Sequence, residues 1–69
     1  MSEEEQIKKL KDIALSATIT ETRKKVIDAL SVYGEKAIPA ITEIVGQSTI
    51  TETRLHGLET IKRMKEKQK

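Results

Sequence analysis

Thr18-Ile-Thr-Glu-Thr-Arg23 recurs unchanged as Thr49-Ile-Thr-Glu-Thr-Arg54, 31 residues later in a chain of 69. The same 31-residue shift aligns further residues of like chemistry. Ile7 meets Ile38, Leu10 meets Ile41, Ile13 meets Ile44, and Ala14 meets Val45. Beyond the hexapeptide, Ile27 meets Leu58, Asp28 meets Glu59 and Leu30 meets Ile61. A fixed period of about 20 to 50 residues marks a repeat architecture. The expected organisation is one domain, 1–69, with unit one at 4–34, unit two at 35–65 and a basic tail at 66–69.

Composition bounds the function classes. A chain this short buries only about 60% of its unfolded surface, so modest stability is expected. It has no cysteine, which excludes disulfides and thiolate metal sites. No apolar run approaches the ~18 residues of a membrane span. The acidic start Met-Ser-Glu-Glu-Glu lacks the apolar segment of a signal peptide, so a cytoplasmic location is expected. The net charge of +2 is uneven. Residues 62–69 hold five bases and one acid, and the other 61 residues hold eight bases and ten acids. The body is therefore no basic nucleic-acid surface by composition. Richness in Lys and Glu without Asn or Cys follows a heat-adaptation trend, and good helix formers in a helical chain explain the same usage.

Periodicity then predicts an all-α fold. Ser2 with Glu5 forms a capping box ahead of Ile7, Leu10, Ile13, Ala14 and Ala17, predicting a first helix near residues 3–16. Thr18 and Thr20 compete to cap a second helix whose inward stripe is Val26, Ile27, Leu30 and Tyr33. Gly34 stands at its stop, where a left-handed residue is needed. A third helix is expected from Glu35 to about Val45, with Pro39 in or just after its first turn. Gly46, Gln47 and Ser48 read as a turn. Thr49 and Thr51 repeat the capping choice before a fourth helix near 51–65, with Leu55, Leu58, Ile61 and Met64 inward.

Four helices in two pairs give a short α-solenoid. At this point the residues carry a resemblance. The run from Gly34 through Ala37-Ile-Pro-Ala-Ile41, with Ile44, Arg54 and Ile61, resembles the short HEAT-like repeat of the phycobilisome-lyase type. Arg23 and Arg54 fall on that pattern's Arg, Ala29-Leu30 on its Ala-Leu, and Gly34 on its terminal Gly. The chain departs where Thr22 or Thr53 replaces a Val before the Arg, and where the first small residue of the second helix is Val26 in one unit and Gly57 in the other. The resemblance implies two HEAT-like helical hairpins, with Arg23 and Arg54 as a structural ladder to turn carbonyls or acids. It implies no enzymatic role.

Other features have two readings. Lys62, Arg63, Lys65, Lys67 and Lys69 either match the dipole of a helix end or contact nucleic-acid phosphates. No aromatic residue stands among them to stack bases. Gly57 in mid-helix marks a close helix approach, either to the third helix or to a second molecule. His56, the single histidine, aligns with Lys25 and reads as part of a solvated face. No phosphate loop or Ser/His/Asp constellation is present, so no enzyme, cofactor or metal is expected.

Two units are fewer than a solenoid usually needs. Ile7, Leu10, Leu55 and Leu58 are therefore expected near an uncovered apolar surface, with Gly57 permitting close approach. The expected function is a protein-interaction or scaffold module, in a homodimer or with a protein partner. A small nucleic-acid- or ribosome-associated factor is the alternative.

Overall fold

The computed structural model describes residues 2–67. They form α1 (Glu3–Ser16), α2 (Thr20–Ser31), a 3-10 turn (Gly34–Ala37), α3 (Ile38–Gln47) and α4 (Thr51–Lys67). The fold is all-α, and the described residues contain no strand.

Local chemistry accounts for most boundaries. Ser2 Oγ accepts from the Glu5 amide at 3.2 Å and donates to Glu5 Oε1 at 3.4 Å, so Ser2 caps α1 as predicted, with the Glu5 carboxylate bonded to the serine hydroxyl and not to its backbone N–H. The predicted threonine cap on α2 is not formed. Ile19 holds the cap position with extended backbone and no side-chain bond. Its carbonyl accepts from Arg23 N at 3.2 Å, and the Ile50 carbonyl accepts from Arg54 N at the same distance. The two hexapeptides thus turn into their helices in the same way, with Thr18 and Thr49 one residue too early to cap. Before α4 the local side-chain bond comes from Ser48, whose Oγ accepts from Ile50 N.

Gly34 has φ +74°, the left-handed value its place after α2 requires. The chain then makes the 3-10 turn before α3, so the third α-helix starts later than Glu35. Pro39 falls in its first turn, where the missing N–H leaves no bond broken. Gly46 and Gln47 continue α3 instead of forming the turn, which is Ser48 to Ile50.

Packing runs α1 on α2 and α3 on α4, with α2 also against α4 and α1 against α3. Ile27, Leu30, Ala37 and Ile41 are fully buried at the centre, joined by Ala14, Val26, Ala40, Ile44, Val45 and Met64. Tyr33 lies half-buried against this core. Its hydroxyl donates to Gln6 Oε1 on α1 at 2.5 Å, and Lys36 Nζ reaches Glu3 Oε1 at 3.1 Å. These two bonds tie the start of α1 to the α2–α3 junction.

Three residues expected inward point outward. Ile13 on α1 is about half exposed, and Leu55 and Leu58 on α4 are exposed. The inward stripe of α4 keeps the expected Met64 and otherwise runs through Thr53, Gly57 and Thr60, at helical steps of four, three and four. Gly57 fixes this rotation. A Cβ built there would overlap Val45 Cγ2 and lie 3.6 Å from Ile27 Cδ1 and 3.7 Å from Ile41 Cγ2. Only with the bare Gly57 backbone against α3 do the helices approach this closely, and that turns Leu55 and Leu58 to the far side.

Candidate interaction surface

The outer face of α4 carries Leu55 and Leu58, at 56% and 55% exposure. One helical turn separates them, so they form one apolar strip. Glu59 and Lys62 lie beside it, both exposed. A shallow cleft lined by Lys24, Glu52, Leu55, His56 and Glu59 borders the strip on the α2 side.

The remaining expected interface residues lie elsewhere. Ile7 is buried in the core and Leu10 packs half-buried against it, so α1 turns these apolar groups inward. Gly57 is buried too, and the close approach it permits is internal, to α3. Of the two readings left open for that glycine, the contact with the third helix is the one observed.

Polar side chains stitch α2 to α4. Lys24 Nζ meets Glu52 Oε2 at 2.9 Å, and His56 Nε2 bonds Asp28 Oδ1 at 2.7 Å. Both pairs link residues 28 apart, one helical turn short of the 31-residue step. Their hydrogen bond, then charge attraction, holds Glu52 below its ordinary carboxylate value and Lys24 above its ordinary ammonium value. His56 is thus half-buried and bonded, not on the fully solvated face its alignment with Lys25 suggested. Lys11 Nζ and Glu43 Oε1, 3.5 Å apart, bridge α1 to α3.

The two repeated arginines differ. Arg23 Nη2 donates to the Ala17 carbonyl at 2.5 Å, closing the α1–α2 turn. Arg54 is exposed and makes no such bond among the described residues. The expected ladder therefore has one rung.

Lys62, Arg63 and Lys65 are exposed on α4, which continues to Lys67. Lys62 and Arg63 share a shallow cleft with Glu59 and Glu66, so the base-rich segment carries interleaved acids. Lys69 and the side chain of Lys67 lie outside the described residues. Among the described residues no cluster of three or more His, Cys, Asp or Glu is placed to hold a metal ion, and no helix is long and apolar enough to cross a membrane.

Compared with protein-family models, curated proteins and solved structures, the chain matches none.

Sequence reasoning missed two features of this surface. One is Val32 at the end of α2, 83% exposed. The other is the pair of polar links between α2 and α4, Lys24–Glu52 and Asp28–His56. Their shared 28-residue spacing was visible in the sequence, but it becomes a signal only once the rotation of α4 is known.

Proposed function

We propose that this chain is a pair of HEAT-like units forming a short α-solenoid, and that it works by protein–protein contact without catalysis. It acts as a scaffold or as a subunit of a larger assembly. The observation that carries this reading is the Leu55–Leu58 strip. Two leucines more than half exposed and one turn apart on one helix face form an apolar strip, which supports a protein contact there. The order in which the helices pack, first on second, third on fourth, and second on fourth, supports the solenoid half of the reading. Among the described residues His56, the single histidine, already bonds Asp28.

A photo-crosslinking residue at Leu58, compared with one at the exposed Glu35, tests the reading in the native cell. Crosslinks to protein at Leu58 and none at Glu35 are expected. Equal labelling at both positions would sink it.

Nucleic-acid contact through Lys62, Arg63 and Lys65 is the second reading, supported by their exposure along one helix end. Glu59 and Glu66 beside them weaken it. Titration with RNA and duplex DNA at low salt separates the two. Binding that falls steeply with salt and is lost in Lys62→Glu/Lys65→Glu would replace the first reading with the second.

A further inference from the structure

The internal α2–α4 contact has two sides, and the 31-residue step projects each side onto the opposite end of the molecule. The α2 side presents Lys24, Ile27 and Asp28: Lys24 to Glu52, Ile27 to the bare backbone of Gly57, and Asp28 to His56. Thirty-one residues on, these positions are Leu55, Leu58 and Glu59, the exposed outer face of α4. The α4 side presents His56 and Thr60, with Arg63 lining the cleft above Asp28 and Ser31. Thirty-one residues back, these positions are Lys25 and Ala29 on α2 and Val32 just after it, all exposed.

The molecule thus carries at its two ends the two halves of a contact it already makes inside. The halves also match chemically. Glu59 stands where Asp28 stood and Lys25 where His56 stood, so an acid again meets a basic side chain. Each end also carries exposed apolar groups, Leu55 and Leu58 on one and Val32, the most exposed large apolar residue described, on the other, where the step sets Val32 beside Glu59 and the stem of Lys62. The match is incomplete at two places: Leu55 would meet Glu21 where Lys24 meets Glu52, and Leu58 would meet the largely buried Val26 where Ile27 meets Gly57. At the first of these the leucine would lie along the glutamate's aliphatic stem, with no ion pair.

From this we infer that the partner of the α4 face is a second copy of this chain, stacked head to tail, α4 of one molecule against α2 of the next. The inference rests on the reading of that face as a protein contact and names its occupant. The contact is heterologous, so each added copy offers a fresh α4 face and the assembly stays open. A symmetric dimer would instead use the same face twice.

Sedimentation velocity of the full chain, from low micromolar to millimolar concentration, tests this directly. The average mass should climb with concentration past that of a dimer. Leu58→Glu and Val32→Glu change exposed positions at opposite ends, and each alone should abolish growth. Mixed in equal amounts they should form a one-to-one dimer and nothing larger, because each retains the face the other has lost. Glu59→Lys should weaken association about tenfold or more, and adding Lys25→Glu in the same chain should restore it. Helicity and thermal unfolding of each variant confirm that it is folded. A chain that stays monomeric throughout overturns the inference. So does a dimer that Leu58→Glu destroys and Val32→Glu leaves intact. Either result, combined with protein crosslinks at position 58 in the cell, would leave the interaction reading standing and remove only the stacked copy.

Discussion

Val45 on α3 seats its Cγ2 methyl where a side chain on Gly57 of α4 would begin. The equivalent positions one 31-residue step earlier are Ala14 and Val26, both buried. In the first unit the small residue is on the first helix and the valine on the second. In the second unit the order is reversed, and the combined volume is nearly kept.

Gly57→Ala should therefore destabilise the protein even though alanine is the better helix former. Alanine gains about 1 kcal/mol in a helix over glycine, while overpacking a close contact costs about 1–3 kcal/mol. Val45 is β-branched and held to one rotamer in its helix, so it cannot swing aside. A net loss of about 1 kcal/mol is expected in chemical denaturation. Val45→Ala placed in the Gly57→Ala background should cost less than it does alone, because the two changes recreate a small-on-small contact. Strictly additive effects would show that the two residues are not coupled.

Thr53 is fully buried, and its Oγ1 has no hydrogen-bond partner among the described residues. Leaving a hydroxyl in that state costs about 1–3 kcal/mol. Thr53→Val keeps the shape and removes the polar atom, so the melting temperature should rise, by the equivalent of about 1 kcal/mol. A fall would mean that the hydroxyl is satisfied in solution.

Arg23 and Arg54 occupy identical hexapeptides and should respond differently. Arg23→Lys gives up the planar fork that reaches the Ala17 carbonyl, and a loss of about 1 kcal/mol is expected. Arg54→Lys, at an exposed position, should stay within about 0.5 kcal/mol of the parent. Equal losses at both sites would restore the two-rung ladder.

The helix starts give a matched set of cap tests. Ser2→Ala removes the one side-chain cap observed at the start of α1 and should cost about 0.5–2 kcal/mol. Thr18→Ala should be nearly neutral, because the α2 cap position belongs to Ile19 and has no side-chain bond. Thermal unfolding of both variants against the parent decides the matter. A large effect at Thr18 would place the cap on the threonine.

The Lys24–Glu52 pair predicts a pH window. Glu52 titrates below its ordinary 4.5, so its contribution is present above that value and lost as pH falls through the lowered one. Lys24 titrates above its ordinary 10.5, so its contribution is present below that value and lost as pH rises through the raised one. The melting difference between the parent and Glu52→Gln should be small, as expected for an exposed pair. It should be widest between those two values and close outside them. A difference that persists at pH 2 would have to come from something other than the charge pair.

Much of the fold was legible because its signals are local. The Ser2–Glu5 box, the apolar steps of α1, and Gly34 with Pro39 act within a turn or two of chain. The all-α class and the four helices follow from them. The rotation of α4 was not legible. Its buried stripe is two threonines, a glycine and a methionine, while its leucines face out, so hydrophobic periodicity placed Met64 and Ile61 correctly and Leu55 and Leu58 on the wrong side. What decided the rotation was contact between Gly57 and Val45, a tertiary term that no window along the sequence contains. The threonine caps misled for a related reason. The same six residues could start a helix in more than one register, and the observed one puts the isoleucine, not the threonine, at the cap.

Tyr33 is the only aromatic side chain in the molecule. Every near-ultraviolet signal the chain emits or absorbs through an aromatic ring therefore comes from one address, the phenol bonded to Gln6 at the junction of α2 with the segment leading into α3. That gives the protein a built-in, label-free reporter of whether the N-terminal helix is seated. Fluorescence that changes before the far-ultraviolet helix signal on heating would reveal α1 lifting from the remaining helices ahead of global unfolding. Coincident curves would mean that all four helices part together.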